Sequence, residues 1–295
     1  MNLVQFVEAS EAVGDIRMHV RHGGSGPPLL LLHGHPRTHT TWNKVAPLLA
    51  GRHHLVCPDL RGYGRSSTPP DAPRHEQQSK RAMAHDCVRL MQRLGYQRFA
   101  VAGHDRGSYV AFRLAMDHPQ AVTHLVVMDG VPIGEALARC DARFARMWWH
   151  WFFLGNPVAN AERVINLDPD AWYRVDAQRE RMGDDAWSDF RRAVHDPHVV
   201  HAMCEDYRAG LTVDRDADEA DRAAARRVQC PTLVLWALRD DMETLYGDPL
   251  EVWRTWADEV RGHAIDCGHH IAEEAPEELA AALRDFLPGG GEARG

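Results

Sequence analysis

Asp105 stands at the centre of Gly103-His104-Asp105-Arg106-Gly107, a pentapeptide that sets a carboxylate between two glycines. Phe99-Ala100-Val101-Ala102 before it predicts a short buried strand. Ser108 to Met116 after it predicts a helix, because the pairs Val110/Leu114 and Ala111/Ala115 recur at helical spacing. Strand, tight glycine turn and helix together make a nucleophile elbow, where glycines relieve the strain and leave the nucleophile uncrowded. Asp105 is the candidate nucleophile. Ser108, three residues further on, lies off the elbow position, which excludes a serine esterase. An ionised carboxylate can displace a leaving group from a saturated carbon without first losing a proton. The product is an ester of Asp105 that water must hydrolyse, so the chemistry requires a histidine general base and a second carboxylate to orient it.

Three further stretches offer those parts. His33-Gly34-His35-Pro36 follows an apolar run, and the His35 backbone N–H there could face that of Arg106 to form an oxyanion hole. Cys267-Gly268-His269-His270 follows the last expected strand, which singles out His269 among the 19 histidines as the base, with His270 as its neighbour. Two carboxylates could orient His269. Asp129 ends the run Leu125 to Met128, and Asp240 lies four residues beyond Trp236. A triad is defined by geometry, not chain order, so the residues alone leave both open.

These groups need a scaffold that brings loop ends together. Leu29-Leu30-Leu31-Leu32 reads as a strand buried on both faces of a parallel sheet. Further strands are expected at His54 to Cys57, Phe99 to Ala102, His124 to Met128, Thr232 to Trp236 and His263 to Asp266, with an N-terminal hairpin from Leu3 to Val7 and Ile16 to Arg21. Alternation of strand and helix implies an α/β architecture with ligands beyond the carboxyl ends of the strands. The rhythm stops between Gly134 and Ala225, a stretch rich in Trp, Arg and Asp that reads as a helical cap inserted into a core of residues 1–133 and 226–288; the Gly289-Gly290-Gly291 tail, running to residue 295, is expected to be disordered.

The chain's 295 residues, 44% hydrophobic and 26% charged, suit a globular enzyme with a large core. A net charge of −8 without a basic run argues against nucleic acid as a partner. No signal-peptide pattern and no long apolar span is present, giving an expectation of a cytoplasmic protein without membrane contact. The six cysteines are scattered without CxxC spacing, against a disulfide framework or a zinc site. Carboxylate and histidine suffice for the chemistry, so neither metal nor organic cofactor is expected.

The motifs resemble the fluoroacetate (haloacetate) dehalogenases of the α/β-hydrolase superfamily over most of the chain. The likeness rests on His33-Gly34-x-Pro36, Asp59-Leu60-x-Gly62-Tyr63-Gly64, the elbow, His150-Trp151 with Phe153-Leu154, Met203-Cys204-Glu205-Asp206-Tyr207-Arg208-Ala209-Gly210, and Gly268-His269 with Glu273-Glu274-Ala275-Pro276. The resemblance implies an α/β-hydrolase fold with a mostly parallel sheet. It also implies that Asp105 attacks the halogen-bearing carbon of a short 2-haloacid, that Asp129 orients His269, and that Arg106 binds the substrate carboxylate. His150, Trp151 and Tyr207 would form the halide pocket, where imidazole, indole N–H and phenol O–H can all donate. A homodimer is implied as well.

Two positions depart from the family pattern: Tyr109 stands where a second arginine is usual, and His35 where phenylalanine is common, making the pocket mouth more polar. Losing one guanidinium contact lowers haloacetate binding by about ten- to a hundredfold unless another cation, such as Arg37 or Arg113, substitutes. The alternative is an epoxide hydrolase, with Tyr207 and His150 as the acid. Arg106 beside the nucleophile weighs against it, because a buried cation does nothing for a neutral epoxide. Haloalkane dehalogenases fit less well, since they usually carry tryptophan after the nucleophile.

Overall fold

The computed structural model describes residues 6–289. Eight strands form one sheet in the order β1-β2-β4-β3-β5-β6-β7-β8: β1 Val7–Val13, β2 Ile16–Gly24, β3 Pro28–Leu32, β4 His54–Pro58, β5 Phe99–His104, β6 Val122–Met128, β7 Thr232–Ala237 and β8 Val260–Ile265. The pairs β1–β2 and β2–β4 are antiparallel, and every later pairing is parallel.

The leucine run explains where the core sits. Leu29 through Leu32 are all fully buried, yet successive side chains serve opposite faces, as a pleated strand demands. Leu30 and Leu32 join Val101 and Val127 in one cluster, while Leu29 and Leu31 join Ala100, Ala102, Val126 and Met128 in the other. Both faces are covered by helices, including Arg106–Asp117, which follows β5 directly.

The interior strands lie where sequence places them, but the edges do not. The first strand runs over Val7–Val13, not Leu3 to Val7, and residues 3–5 lie outside the described part, as do residues 290–295 of the expected disordered tail. The last strand begins at Val260, three residues early, and its residues alternate between half-buried and exposed up to Ile265. Edge strands pack less of their surface, so a continuous apolar run is not required of them. Between β6 and β7 the chain is helical, from Ile133–Ala138 through Arg215–Ala223, with no strand among these described residues. No helix among the described residues is long and apolar enough to cross a membrane.

Candidate active site

Asp105 occupies the first residue after β5 with φ 51° and ψ −120°, a conformation that costs a non-glycine residue on the order of 1–3 kcal/mol. The turn closes because Gly103 has no side chain: a Cβ there would lie 2.1 Å from the Gly107 carbonyl oxygen. Strain of this kind persists only where surrounding structure holds it, and here the whole following helix is buried to Met116.

The Asp105 carboxylate meets the donors expected of it. The His35 backbone N–H donates to Oδ1 at 2.6 Å, and the Arg106 backbone N–H also bonds the carboxylate. Gly34 makes this approach possible, since a Cβ on it would sit 2.4 Å from Oδ1. The other oxygen, Oδ2, lies 4.0 Å from His269 Nε2, beyond hydrogen-bond range but suited to a water shared by both. Burial pushes the carboxyl pKa up, but the charges of His269 and His104 and the Arg106 N–H outweigh it, leaving it below its ordinary value. Asp105 is therefore ionised at neutral pH.

His269 follows β8 and its Nδ1 faces two carboxylates at once. Asp240 Oδ2 is 2.8 Å away, and Asp129 Oδ2 is 3.4 Å away. The choice of Asp129 alone as the orienting acid is thereby revised: Asp240 makes the shorter contact, and Asp129 stands behind it, fully buried. Asp129 is held by its own positive φ of 48° and by the Ala237 N–H, which donates to Oδ1 at 2.8 Å. The carboxyl ends of β6 and β7 are adjacent, so both strands deliver an acid to one imidazole. Burial opposes a charged imidazole, yet the bonds to Asp129 and Asp240 and the charge of Asp105 hold its pKa well above the usual value. His104 fixes the same loop: its Nε2 lies 2.7 Å from the His269 carbonyl oxygen, which can only accept, so Nε2 carries the proton.

Two carboxylates on one base make a specific expectation. Asp129→Asn and Asp240→Asn should each lower kcat by less than about a hundredfold. The double variant should approach the roughly 10⁴-fold loss of a triad deprived of its single acid. Steady-state kinetics on the three proteins checks this, and a full loss in either single variant would assign the task to that residue alone.

The cavity over Asp105 measures about 150 Å³, comparable to one that admits a benzene-sized guest. His150, Trp151 and Tyr109 line it, together with Met147, Trp148 and Met242 and the carboxylates Asp129, Asp240 and Asp241. Tyr207 does not reach the lining but packs behind it, its ring 5.9 Å from that of His150, 6.3 Å from Trp151 and 5.2 Å from His35. Burial lowers the His150 pKa to about 4, so its ring is neutral at neutral pH and offers an N–H without a charge. The His35 side chain likewise does not line the cavity; its contribution is its backbone N–H.

Arg106 departs most from expectation. Its guanidinium does not line the cavity but is clasped by Asp206, with Nε donating to Oδ2 at 3.0 Å and Nη2 to Oδ1 at 3.0 Å and to the backbone oxygen at 2.8 Å. The Tyr207 ring covers it at 4.1 Å, and buried Nη1 has no hydrogen-bond partner. Asp206 also accepts from Tyr63 Oη at 2.6 Å and from Lys80. Neither substitute cation fills the gap: Arg37 is bound to Glu273 and Gln178, and Arg113 to Asp117, Asp218 and Asp221. The residues that sequence reasoning missed are Lys80, Trp148 and Asp241. The only available signal was the Asp240-Asp241 doublet itself.

Among the described residues, two groups bring three potential metal ligands within 4.8 Å: His19, His39 and Asp59, and His104, Asp129 and His269. In the first, both Asp59 oxygens are taken by backbone N–H groups of His39 and Arg65 and by the two imidazoles. In the second, the His104 Nε2 proton is directed at the His269 carbonyl. Each set thus has part of its donor atoms committed to internal hydrogen bonds.

Comparison with known proteins places this geometry. The sequence model of one family, described as the alpha/beta hydrolase fold, matches residues 27–276. The chain is 40% identical over 281 residues to a fluoroacetate dehalogenase of Burkholderia sp, covering 93% of this chain and 91% of that protein. It is 31% identical to a soluble epoxide hydrolase of Corynebacterium sp. strain C12, covering 94% and 96%. A crystal structure from Nostoc sp PCC 7120, assigned to the alpha/beta hydrolases, superposes with a TM-score of 0.93 at 41% identity, covering 97% of this chain and 99% of that one.

Proposed function

The chain belongs to the alpha/beta-hydrolase family, and from that premise we propose that this hydrolase breaks the carbon–halogen bond of a short 2-haloacid through an ester of Asp105. One observation carries the reading: an ionised carboxylate on a strained elbow has Oδ1 bonded to the His35 backbone N–H, the Arg106 N–H also holding the carboxylate, and Oδ2 facing His269 across a gap of 4.0 Å. In the first step Asp105 Oδ2 attacks the halogen-bearing carbon, and the halide leaves with the bonding pair toward the Trp151 and His150 donors. In the second, His269 Nε2 takes a proton from water as its oxygen adds to the Asp105 carbonyl carbon. Negative charge collects on Oδ1, between the N–H groups of His35 and Arg106. Collapse breaks the bond from the carbonyl carbon to Oδ2, which leaves as the hydroxyl of the 2-hydroxyacid with the proton held by His269; the Asp105 acid so formed loses its proton to solvent, and the water oxygen stays in the Asp105 carboxylate.

The test is halide release from fluoroacetate and chloroacetate by the purified enzyme, with the 2-hydroxyacid as the second product. No halide from either acid would overturn the proposal. Epoxide opening is the second reading. It is favoured by the fact that no guanidinium lines the cavity, so nothing there demands an anion. Diol formation from a small epoxide, without halide release from any haloacid, would put it first.

A further inference from the structure

We propose that Asp241 sets the charge selectivity of this cavity, disfavouring the ionised carboxylate of a 2-haloacid relative to the uncharged 2-haloamide that carries the same halogen. The inference rests on the reading that Asp105 displaces halide, and it extends that reading to the part of the substrate that does not react.

Asp241 lines the cavity beside Tyr109 and Asp105. The Trp148 indole N–H donates to its Oδ2, which ties it to the inserted helical segment and leaves Oδ1 without a hydrogen-bond partner among the described residues. The titratable groups around it come from five elements: Asp240 from the same loop, Asp129 after β6, His269 after β8, Tyr109 from the elbow helix and Tyr246 from helix Met242–Tyr246. His269 is the single cation in this set, and Asp129, Asp240 and Asp105 already face it. The guanidinium expected to receive a substrate carboxylate is turned to Asp206 and does not line the cavity. A haloacid seated over Asp105 in a cavity of about 150 Å³ therefore brings its carboxylate within a few ångströms of Asp241. Like charges at such separation in a half-buried site weaken binding by roughly ten- to a hundredfold. An amide in the same place carries no charge, and its N–H can donate to Oδ1.

Burial and the charge of Asp240 push the Asp241 carboxyl up to about 6. Below that pH it is neutral and its O–H can donate a hydrogen bond to the ionised substrate carboxylate. Above it, the repulsion is present in full. Haloacetates stay ionised across this range, so the change belongs to the protein.

The experiment measures chloride release from chloroacetate and chloroacetamide between about pH 5 and about pH 8, correcting for background with Asp105→Ala. The ratio of the two kcat/KM values cancels whatever acts on both substrates alike, and comparison with Asp241→Asn separates the step that belongs to residue 241 from the loss of charge on His269 at higher pH. In the unaltered enzyme the acetate-to-amide ratio falls about tenfold as pH rises through 6, whereas in Asp241→Asn this step is absent and the ratio is about tenfold higher at the alkaline end. Asp241→Ser serves the same purpose without an amide. A flat ratio in the unaltered enzyme, or an unchanged slope in both variants, overturns the role of Asp241 and leaves halide displacement standing. No chloride from either substrate overturns both.

Discussion

Asp105→Ala is expected to abolish halide release, lowering kcat by at least about 10⁴-fold, the scale on which enzymes that work through a covalent intermediate lose activity with their nucleophile. The protein should remain folded. The substitution leaves the elbow glycines in place but removes a carboxylate that is paired with His269 and with backbone N–H groups, so the melt shifts down modestly without loss of the fold. Substrate binding should persist, because the cavity walls contributed by Trp151, Tyr109 and His150 are untouched. Stopped-flow halide detection and a thermal melt on the same preparation separate the two effects. A variant that melts normally and still turns over at more than a hundredth of the normal rate would assign attack to some other group.

The second large effect divides the reaction at its midpoint. His269→Ala should complete the displacement and stall at hydrolysis, because the carboxylate needs no base to attack but the ester needs one to be released. One equivalent of halide per active site appears in a burst, after which turnover falls by about 10³-fold or more. Intact-protein mass spectrometry finds the adduct on Asp105. The pH dependence follows from the same residue. Burial disfavours the imidazolium, but Asp129, Asp240 and Asp105 outweigh it and keep the ring protonated to higher pH than usual. Only the neutral ring can accept a proton from water, whereas Asp105 is ionised throughout. In the unaltered enzyme kcat therefore rises with pH through the titration of His269. Asp240→Asn removes one stabilising carboxylate and should move the rising limb to lower pH.

The parts of the site that sequence reveals are those whose local rule is strict. The elbow is legible because two glycines, a buried strand before them and a helical repeat after them all agree, and the backbone at Asp105 has the strain that makes those glycines necessary. The His35 N–H could be assigned because it follows Leu29 to Leu32, a continuous apolar run buried on both faces of the sheet. The fate of Arg106 was not legible, since its partner Asp206 lies 100 positions away on a helix of the inserted segment. Long-range ion pairing leaves no periodic trace, and a basic residue beside a nucleophile looks the same whether it faces substrate or an aspartate. The Asp129 and Asp240 alternatives stayed open for a related reason. Strand ends predict where carboxylates emerge, but only the packing of β6 on β7 brings both to Nδ1. Asp241 differs from its neighbour only in direction, which one position along a loop does not reveal.

A single turnover in heavy-oxygen water, with enzyme in excess over haloacid, tests the covalent ester most directly. Formation and hydrolysis of the ester leave the product with an oxygen that belonged to Asp105, while the solvent oxygen enters the carboxylate, so the peptide containing residue 105 gains the label and the hydroxyacid does not. Label found only in the hydroxyacid, with an unlabelled peptide, would mean that water attacks the substrate directly and would contradict the role given to Asp105.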